Sequence, residues 1–308
     1  MKKIALCSTL CVVCVVGLMA AFPEDATRAA FAIERFRSGL EHKSIVMDGE
    51  TWHYLEGGPT DAPVVLLLHG FGADKDNWTR FSTKLTNQYR VIAPDLPGFG
   101  ESARHAHGDY SVSAQSDWLH DFAAALKLGR FHLGGNSMGG HIAAFYAYRY
   151  SSQVKSLVLI DNAGITSPNA SEMELALENG ENPLLTSSVE DFDRLLGFVS
   201  YKQPFVPWPA KGILAQQTFA NSAFNRRVFA SYKDARAAGL EPLLADIRQP
   251  VLIIWGEFDR VLDVSSIDVM RPLLPQAKVV VMRDTGHIPM LERPQETAAH
   301  YLEFLGSL

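Results

Sequence analysis

Short apolar runs alternate with amphipathic segments over most of this chain, and this alternation restricts the fold more than any other feature. The runs PVVLLLHG (63–70), YRVIAP (89–94) and VKSLVLID (154–161) predict buried strands. Segments between them, such as SAQSDWLHDFAAALKL (113–128), have helical spacing, and Asp48-Gly49 separates two alternating runs as in a β-hairpin. Buried strands that alternate with helices predict an α/β fold with a mostly parallel central sheet covered by helices.

The alternation is interrupted once. Residues 166–236 predict helices and loops without a buried strand, and strands resume at PVLIIWG (250–256) and KVVVM (278–282). We therefore expect a core formed by residues 44–165 and 237–308, and a helical cap formed by 166–236. In open α/β folds ligands bind at the carboxyl edge of the sheet, so we expect the cap to lie over that edge.

Charge and cysteine content exclude several function classes. The 308 residues carry a formal net charge of −6, which gives no reason to expect nucleic acid as a partner. Cys7, Cys11 and Cys14 are the only cysteines, so the rest of the chain contains neither a disulfide nor a cysteine-based metal site. No cluster of cysteine and histidine suggests a ligand set, and we expect no metal and no cofactor.

The N-terminus predicts a membrane anchor. Lys2 and Lys3 precede 19 uncharged, mostly apolar residues, 4–22, which would form a helix of about 28 Å against about 30 Å of bilayer hydrocarbon. The best cleavage site, Leu18-Met19-Ala20, places Leu where signal peptides need a small residue. We expect residues 1–22 to stay as a single-pass anchor in the inner membrane, with the body on the periplasmic side. The alternative is a cleaved signal peptide and a secreted protein.

Two further features lie in this region. The cysteines are spaced i, i+4 and i+7 on one helical face. They are either small, lipid-tolerant residues or a helix-pairing face, and the second interpretation would give a homodimer through the N-terminal helix. Residues 23–43 predict a juxtamembrane helix, which either lies on the lipid surface or packs on the globular body.

One serine is placed for chemistry. Gly135-Asn136-Ser137-Met138-Gly139 matches G-x-S-x-G and lies between a predicted strand and a predicted helix. In that setting the serine occupies a strained turn, and the glycines are needed because a Cβ would clash with neighbouring backbone. The pattern therefore predicts Ser137 as a catalytic nucleophile.

A base and an acid should follow the serine in the order Ser, acid, His. Asp259 follows the strand VLIIWG, and His287 follows the strand KVVVM. We expect His287 to activate Ser137 and Asp259 to orient His287. Asp161, which follows another strand, is the alternative acid.

The oxyanion hole is predicted from two turns. His69-Gly70-Phe71-Gly72 follows the strand VVLLL, and Met138 follows the nucleophile. The backbone N–H groups of Phe71 and Met138 should bind the oxyanion of a tetrahedral intermediate. His69 is interpreted as a scaffold of the turn rather than as a base.

These motifs resemble the α/β-hydrolase superfamily. HGFG, DLPGFGES, GNSMGG, WGEFD and GHIPMLERP occur in its order between about residues 44 and 305. With its N-terminal stretch, the chain resembles membrane-anchored monoacylglycerol lipase-like enzymes, including bacterial lipases and phospholipases A. The resemblance implies a serine carboxylic-ester hydrolase that forms an acyl-enzyme on Ser137 and acts on monoacylglycerol, triacylglycerol or phospholipid esters at a membrane.

Apolar cap residues are candidates for the substrate-binding wall. They are Leu184, Leu185, Phe192, Leu196, Phe205 and Trp208. Two alternatives to the lipid esterase stay open at this point. GNSMGG also resembles carbon–carbon bond hydrolases of the same fold, and some members of the fold are non-catalytic receptors or binding modules.

Overall fold

Residues 16–104, 108–236 and 239–308 are described in the computed structural model. Within these ranges the chain forms an eight-stranded sheet with the order β1-β2-β4-β3-β5-β6-β7-β8. The strands are β1 (Leu40–Met47), β2 (Glu50–Gly57), β3 (Val64–Leu68), β4 (Arg90–Pro94), β5 (Phe131–Asn136), β6 (Val154–Ile160), β7 (Val251–Gly256) and β8 (Lys278–Met282). Strands β3 to β8 pair in parallel, whereas β2 pairs antiparallel with both β1 and β4. The predicted mostly parallel α/β sheet is confirmed.

The predicted hairpin is present, with Met47 opposite Glu50. Asp48 and Gly49 have φ of 51° and 81°, as a two-residue hairpin turn requires. The first strand begins at Leu40 and not near Ser44, because Gly39 at φ 66° turns the chain and the buried Leu40 pairs with Gly57.

Helices cover both faces of the sheet. They are α1 (Pro23–Arg37), α2 (Thr79–Leu85), α3 (Val112–Ala125), α4 (Met138–Arg149), α5 (Glu172–Glu178), α6 (Asp191–Val199), α7 (Ala210–Ala220), α8 (Ser222–Arg236), α9 (Glu241–Leu244), α10 (Ser266–Leu273), α11 (Pro289–Glu292) and α12 (Pro294–Leu305). In β3, Leu66 and Leu68 pack with α3, α4 and α10, whereas Val65 and Leu67 pack with α2 and α12. This alternation explains why the strand has no polar face.

The segment between β6 and β7 contains five helices, α5 to α9, and no strand among its described residues. The first four lie within residues 166–236. Helix α5 begins with a capping box, in which the Ser171 hydroxyl accepts from the Glu174 N–H and the Glu174 carboxylate accepts from the Ser171 N–H. These helices lie next to the carboxyl end of β5, where Ser137 is found.

The N-terminal helix α1 is shorter than the predicted helix over residues 23–43, because it ends at Arg37 before the Ser38-Gly39 turn. It packs against α7 and β1, while Ile33 and Phe36 are 51% and 84% exposed. Residues 16–21 are also helical. Most of the predicted spanning segment 4–22, with all three cysteines and the proposed pairing face, lies outside the described residues. Among the described residues, no helix combines the length and the apolar composition needed to cross a bilayer.

Candidate active site

Ser137 occupies the turn between β5 and α4. Its φ of 56° and ψ of −121° are sparsely populated by residues other than glycine, so the backbone is strained here. Three backbone hydrogen bonds of 3.0 Å fix it: the Ser137 N–H donates to the Ile160 carbonyl, and the Ser137 carbonyl accepts from the N–H groups of His141 and Ala163. The surrounding structure therefore imposes the conformation that presents the hydroxyl.

The flanking glycines are required by close backbone approach. A Cβ on Gly135 would lie 2.2 Å from the Gly139 carbonyl oxygen, and one on Gly139 would lie 2.4 Å from the Leu68 carbonyl oxygen. Both distances are far inside van der Waals contact. The steric reason predicted for the G-x-S-x-G pattern is thus present in the packing.

His287 and Asp259 form a buried hydrogen-bonded pair. The His287 Nδ1–H donates to Asp259 Oδ2 at 2.7 Å, and the two residues are 4% and 8% exposed. The other oxygen of Asp259, Oδ1, accepts from the N–H groups of Val261 and Leu262 at 2.8 and 3.0 Å. Because Nδ1 is used in this way, Nε2 of His287 is left for proton transfer at the cavity that it lines together with Ser137.

Asp161, the alternative acid, lies beside this pair without taking its place. It follows β6 directly, is fully buried, and accepts the Gly256 N–H on Oδ1 at 2.7 Å. Burial, and after it the charge of Asp259, raises the pKa of Asp161 well above its usual range. The acceptor of the His287 Nδ1–H is Asp259 and not Asp161.

The residues of the two predicted oxyanion donors, Phe71 and Met138, both lie beside Ser137. Met138 is the first residue of α4, so its N–H belongs to the helix end that lacks intrahelical acceptors. Phe71 follows β3, and Phe71, Ser137 and Met138 line one small cavity together. This arrangement places both backbone segments next to the nucleophile.

His69 stabilises the turn that carries Phe71. The Leu96 N–H donates to Nε2 of His69 at 3.0 Å, which places the ring proton on Nδ1, and Nδ1–H donates to the Gly70 carbonyl at 2.8 Å. Burial lowers the pKa of His69. A neutral, fully bonded ring of this kind is a scaffold and has no free nitrogen for proton transfer.

A cavity of about 760 Å³ extends from Ser137 and His287 under the cap helices. Four of the six predicted wall residues line it: Leu184, Phe192, Leu196 and Phe205. The other two, Leu185 and Trp208, are not among its lining residues. Leu185 is 9% exposed and turns into the protein, and Trp208 is 56% exposed on the surface, outside the cavity lining.

The sequence comparisons identify the family. Residues 65–300 match the model of the alpha/beta hydrolase family. The chain belongs to the alpha/beta hydrolase family. The matched range includes the serine turn, the Asp259–His287 pair, the cap and most of the sheet.

Three relatives narrow the activity of this hydrolase. Lipase 1 of Psychrobacter immobilis is 38% identical over 91% of this chain and 89% of its own length. The monoacylglycerol lipase ABHD6 of Mus musculus is 32% identical over 85% of this chain and 81% of its own. The crystal structure of a membrane phospholipase A, described as a bacterial virulence factor, superposes with a TM-score of 0.91 at 48% identity and covers 100% of this chain and 99% of its own. The protein is a carboxylic-ester hydrolase.

Helix α1 of this hydrolase forms part of the cavity wall, which the sequence analysis did not predict. Thr27, Ala30 and Phe31 line it, and two ion pairs hold the helix there. Arg35 bonds Asp76 through two nitrogens, and Arg80 contacts Glu34 at 2.7 Å. In the sequence these charged residues look like those of a solvent-exposed helix face. Only the folded structure shows that they form ion pairs with another part of the chain.

A second residue that sequence reasoning missed is Asn136. Its Nδ2 donates to the carbonyls of Ile160 at 3.1 Å and His287 at 3.0 Å, so it joins the strand before the nucleophile to the loop of the base. Asn136 is the variable position before Ser in G-x-S-x-G, and its polar side chain at the end of a buried strand was the available signal.

Proposed function

We propose that this hydrolase cleaves the acyl esters of lipids through an acyl-enzyme on Ser137. The observation that carries the proposal is His287, which donates to the buried Asp259 and lines one cavity together with the strained Ser137 and four apolar cap residues. Acyl transfer needs a nucleophile, a base and a dry site for the chain. Lipase and phospholipase relatives support the same substrate class.

The proposed chemistry has two halves. Nε2 of His287 takes the Ser137 hydroxyl proton while Oγ attacks the ester carbonyl, and the Phe71 and Met138 N–H groups stabilise the oxyanion. Asp259 stabilises the resulting imidazolium through its 2.7 Å bond to Nδ1. The imidazolium then protonates the leaving alcohol, and water activated by His287 hydrolyses the acyl-enzyme.

We also propose where the protein acts. We expect residues 1–22 to anchor the protein in the inner membrane with the body on the periplasmic side, since two lysines precede an apolar stretch of membrane length. Because α1 follows this stretch directly and lines the cavity, lipid substrates would enter close to the membrane. Pairing of two copies through the cysteine face belongs to the same proposal.

A hydrolysis panel tests the proposed function. The purified protein is given p-nitrophenyl esters of increasing chain length, monoacylglycerols, triacylglycerols, phospholipids and a vinylogous diketo acid, and Ser137→Ala is the matched control. We expect lipid ester hydrolysis that Ser137→Ala abolishes, together with fluorophosphonate labelling of Ser137. Faster cleavage of the diketo acid than of any ester would instead support a carbon–carbon bond hydrolase, and absence of both labelling and turnover would support a binding module.

A further inference from the structure

Asp161 has a buried carboxyl oxygen that the proposed mechanism does not use. The residue is 0% exposed, with φ of 44°, and its Oδ1 accepts the Gly256 N–H. Its Oδ2 is also buried, and no donor within the described residues reaches it. An ionised carboxylate oxygen left without a donor in such a place is strongly unfavourable.

The surroundings of Asp161 are mostly acceptors. One carboxyl oxygen of Asp161, one of Asp259 and a ring nitrogen of His287 lie within 4.8 Å of one another. Glu292 is the next acidic group whose charge acts on the site, and its carboxylate is held by the N–H groups of Gly286, Tyr201 and Lys202. Two carboxylates this close in a buried site cannot both be ionised at moderate cost.

The hydrogen-bond donors decide which carboxyl carries the charge. Asp259 accepts two backbone N–H groups on Oδ1 and the His287 Nδ1–H on Oδ2, as a carboxylate does. Asp161 accepts one backbone N–H, and burial and the charge of Asp259 raise its pKa. The proton therefore belongs on Asp161.

We propose that Asp161 is a positioning residue of the triad, which keeps a proton on Oδ2 and donates it in a hydrogen bond to the Asp259 carboxylate. Asp259 is then held by four donors: the N–H groups of Val261 and Leu262, the His287 ring and the Asp161 hydroxyl. The proton stays on Asp161 throughout turnover, so a single negative charge faces the imidazolium. This role rests on the proposed function, because it assists the same triad.

The first test compares Asp161→Asn with Asp161→Ala. Asn tolerates a positive φ and its amide can both donate to Asp259 and accept from Gly256. We expect Asp161→Asn to keep kcat within about threefold of the wild type, and Asp161→Ala, which lacks the donor, to lose on the order of 10–100-fold in kcat at little change in KM. Wild-type kcat in a folded Asp161→Ala variant would overturn the proposal.

The pH profile separates positioning from charge. The acid limb of kcat/KM reports the protonation of the base in the free enzyme. If Asp161 is neutral, Asp161→Asn removes no charge and leaves this limb in place. If Asp161 is ionised, the same substitution removes a negative charge that stabilises the protonated base, and the limb moves to lower pH. The second result would overturn the proposal.

Infrared difference spectroscopy decides the point without turnover. The spectrum of Asp161→Asn is subtracted from that of the wild-type protein at pH 7. We expect the carbonyl band of a protonated carboxylic acid in the wild type, and its absence would overturn the proposal. Since this band needs no substrate, a protein that shows it and hydrolyses no ester would refute the proposed function and still support a protonated Asp161.

Discussion

The amide of Asn136 donates a 3.0 Å hydrogen bond to the backbone carbonyl of His287. The residue immediately before the nucleophile therefore holds the loop that carries the base, and the same amide also holds the end of β6 at Ile160. The relative placement of Ser137 and His287, which lie 150 residues apart in the sequence, depends on this side chain. Its removal should affect activity more than folding.

We expect Asn136→Ala to lower kcat on the order of tenfold or more, since a small displacement of the base from the nucleophile is costly. Two buried carbonyls lose a donor, so the free energy of unfolding should fall by about 1–3 kcal/mol. Initial rates and urea unfolding measure the two effects. Asn179→Ala is the control, because Asn179 also donates to a backbone carbonyl but at an exposed helix end. Equal kcat in both variants would contradict this role.

Substitution of any one of the three triad residues should cause a large loss of activity. Ser137→Ala, His287→Ala and Asp259→Asn should each lower kcat by roughly 10³-fold or more. The far-UV circular dichroism of all three should stay that of the wild type, because Ser137 and His287 line the cavity and Asn has the same shape as Asp. A fully active Asp259→Asn variant would mean that another group orients His287.

The cavity wall predicts a change in chain-length preference. Leu196 lines the cavity, so Leu196→Trp should obstruct it and lower kcat/KM for long-chain esters by roughly tenfold or more relative to short ones. Trp208→Ala is the matched control, because Trp208 is exposed outside the lining. The ratio of p-nitrophenyl palmitate to butyrate hydrolysis measures the effect. A larger change of this ratio in Trp208→Ala would mean that the acyl chain of the substrate does not lie along Leu196.

The buried His132 should make the free energy of unfolding sensitive to acid. Burial, with a smaller contribution from Lys155, lowers the pKa of His132 from about 6.5 to about 4, and its Nδ1 bonds the Ser156 hydroxyl at 2.8 Å. Below pH 6.5 the unfolded chain takes up a proton that the folded protein does not bind until about pH 4, so stability falls as the pH falls. Between pH 6.5 and 5 the loss should be about 1.5 kcal/mol.

Urea unfolding at these two pH values, compared between the wild type and His132→Asn, isolates this contribution. The variant should lose less stability on acidification, because its amide does not titrate. An equal slope in both proteins would show that other groups dominate the acid transition.

Deletion of the N-terminal segment should affect hydrolysis of membrane lipids more than hydrolysis of short soluble esters. Deletion of residues 1–22 leaves α1 and its ion pairs intact, so the shortened protein should hydrolyse short esters at the wild-type rate. Its rate on phospholipid or monoacylglycerol in vesicles should fall, because the proposed anchor is gone. Deletion of residues 1–37 is the contrasting variant, since it removes a wall of the cavity and should lower both rates.

Mass spectrometry of the protein recovered from cells decides the state of this segment. An intact N-terminus in the membrane fraction agrees with the anchor. A new N-terminus near Ala21 in a soluble fraction would mean a secreted enzyme.

The sequence by itself determined the layered α/β architecture and the position of the nucleophile. Both depend on local regularities: buried strands with apolar residues on both faces, and a serine between glycines at a strand-to-helix turn. Gly135 and Gly139 lie so close to neighbouring backbone that no other residue fits there. This steric requirement explains why the glycine pattern predicted the serine turn. The order of Ser137, Asp259 and His287 along the chain likewise needed no coordinates.

Only the tertiary structure decided between the two acids. Asp161 and Asp259 follow adjacent parallel strands, β6 and β7, and from sequence each could reach the histidine. The loop after β8 directs Nδ1 of His287 to Asp259, which leaves Asp161 as a buried neighbour. The cavity lining was decided in the same way: α1 lies far from the cap in sequence, and the orientations of Leu185 and Trp208 depend on packing. Such contacts join distant segments through side-chain directions that no local pattern encodes.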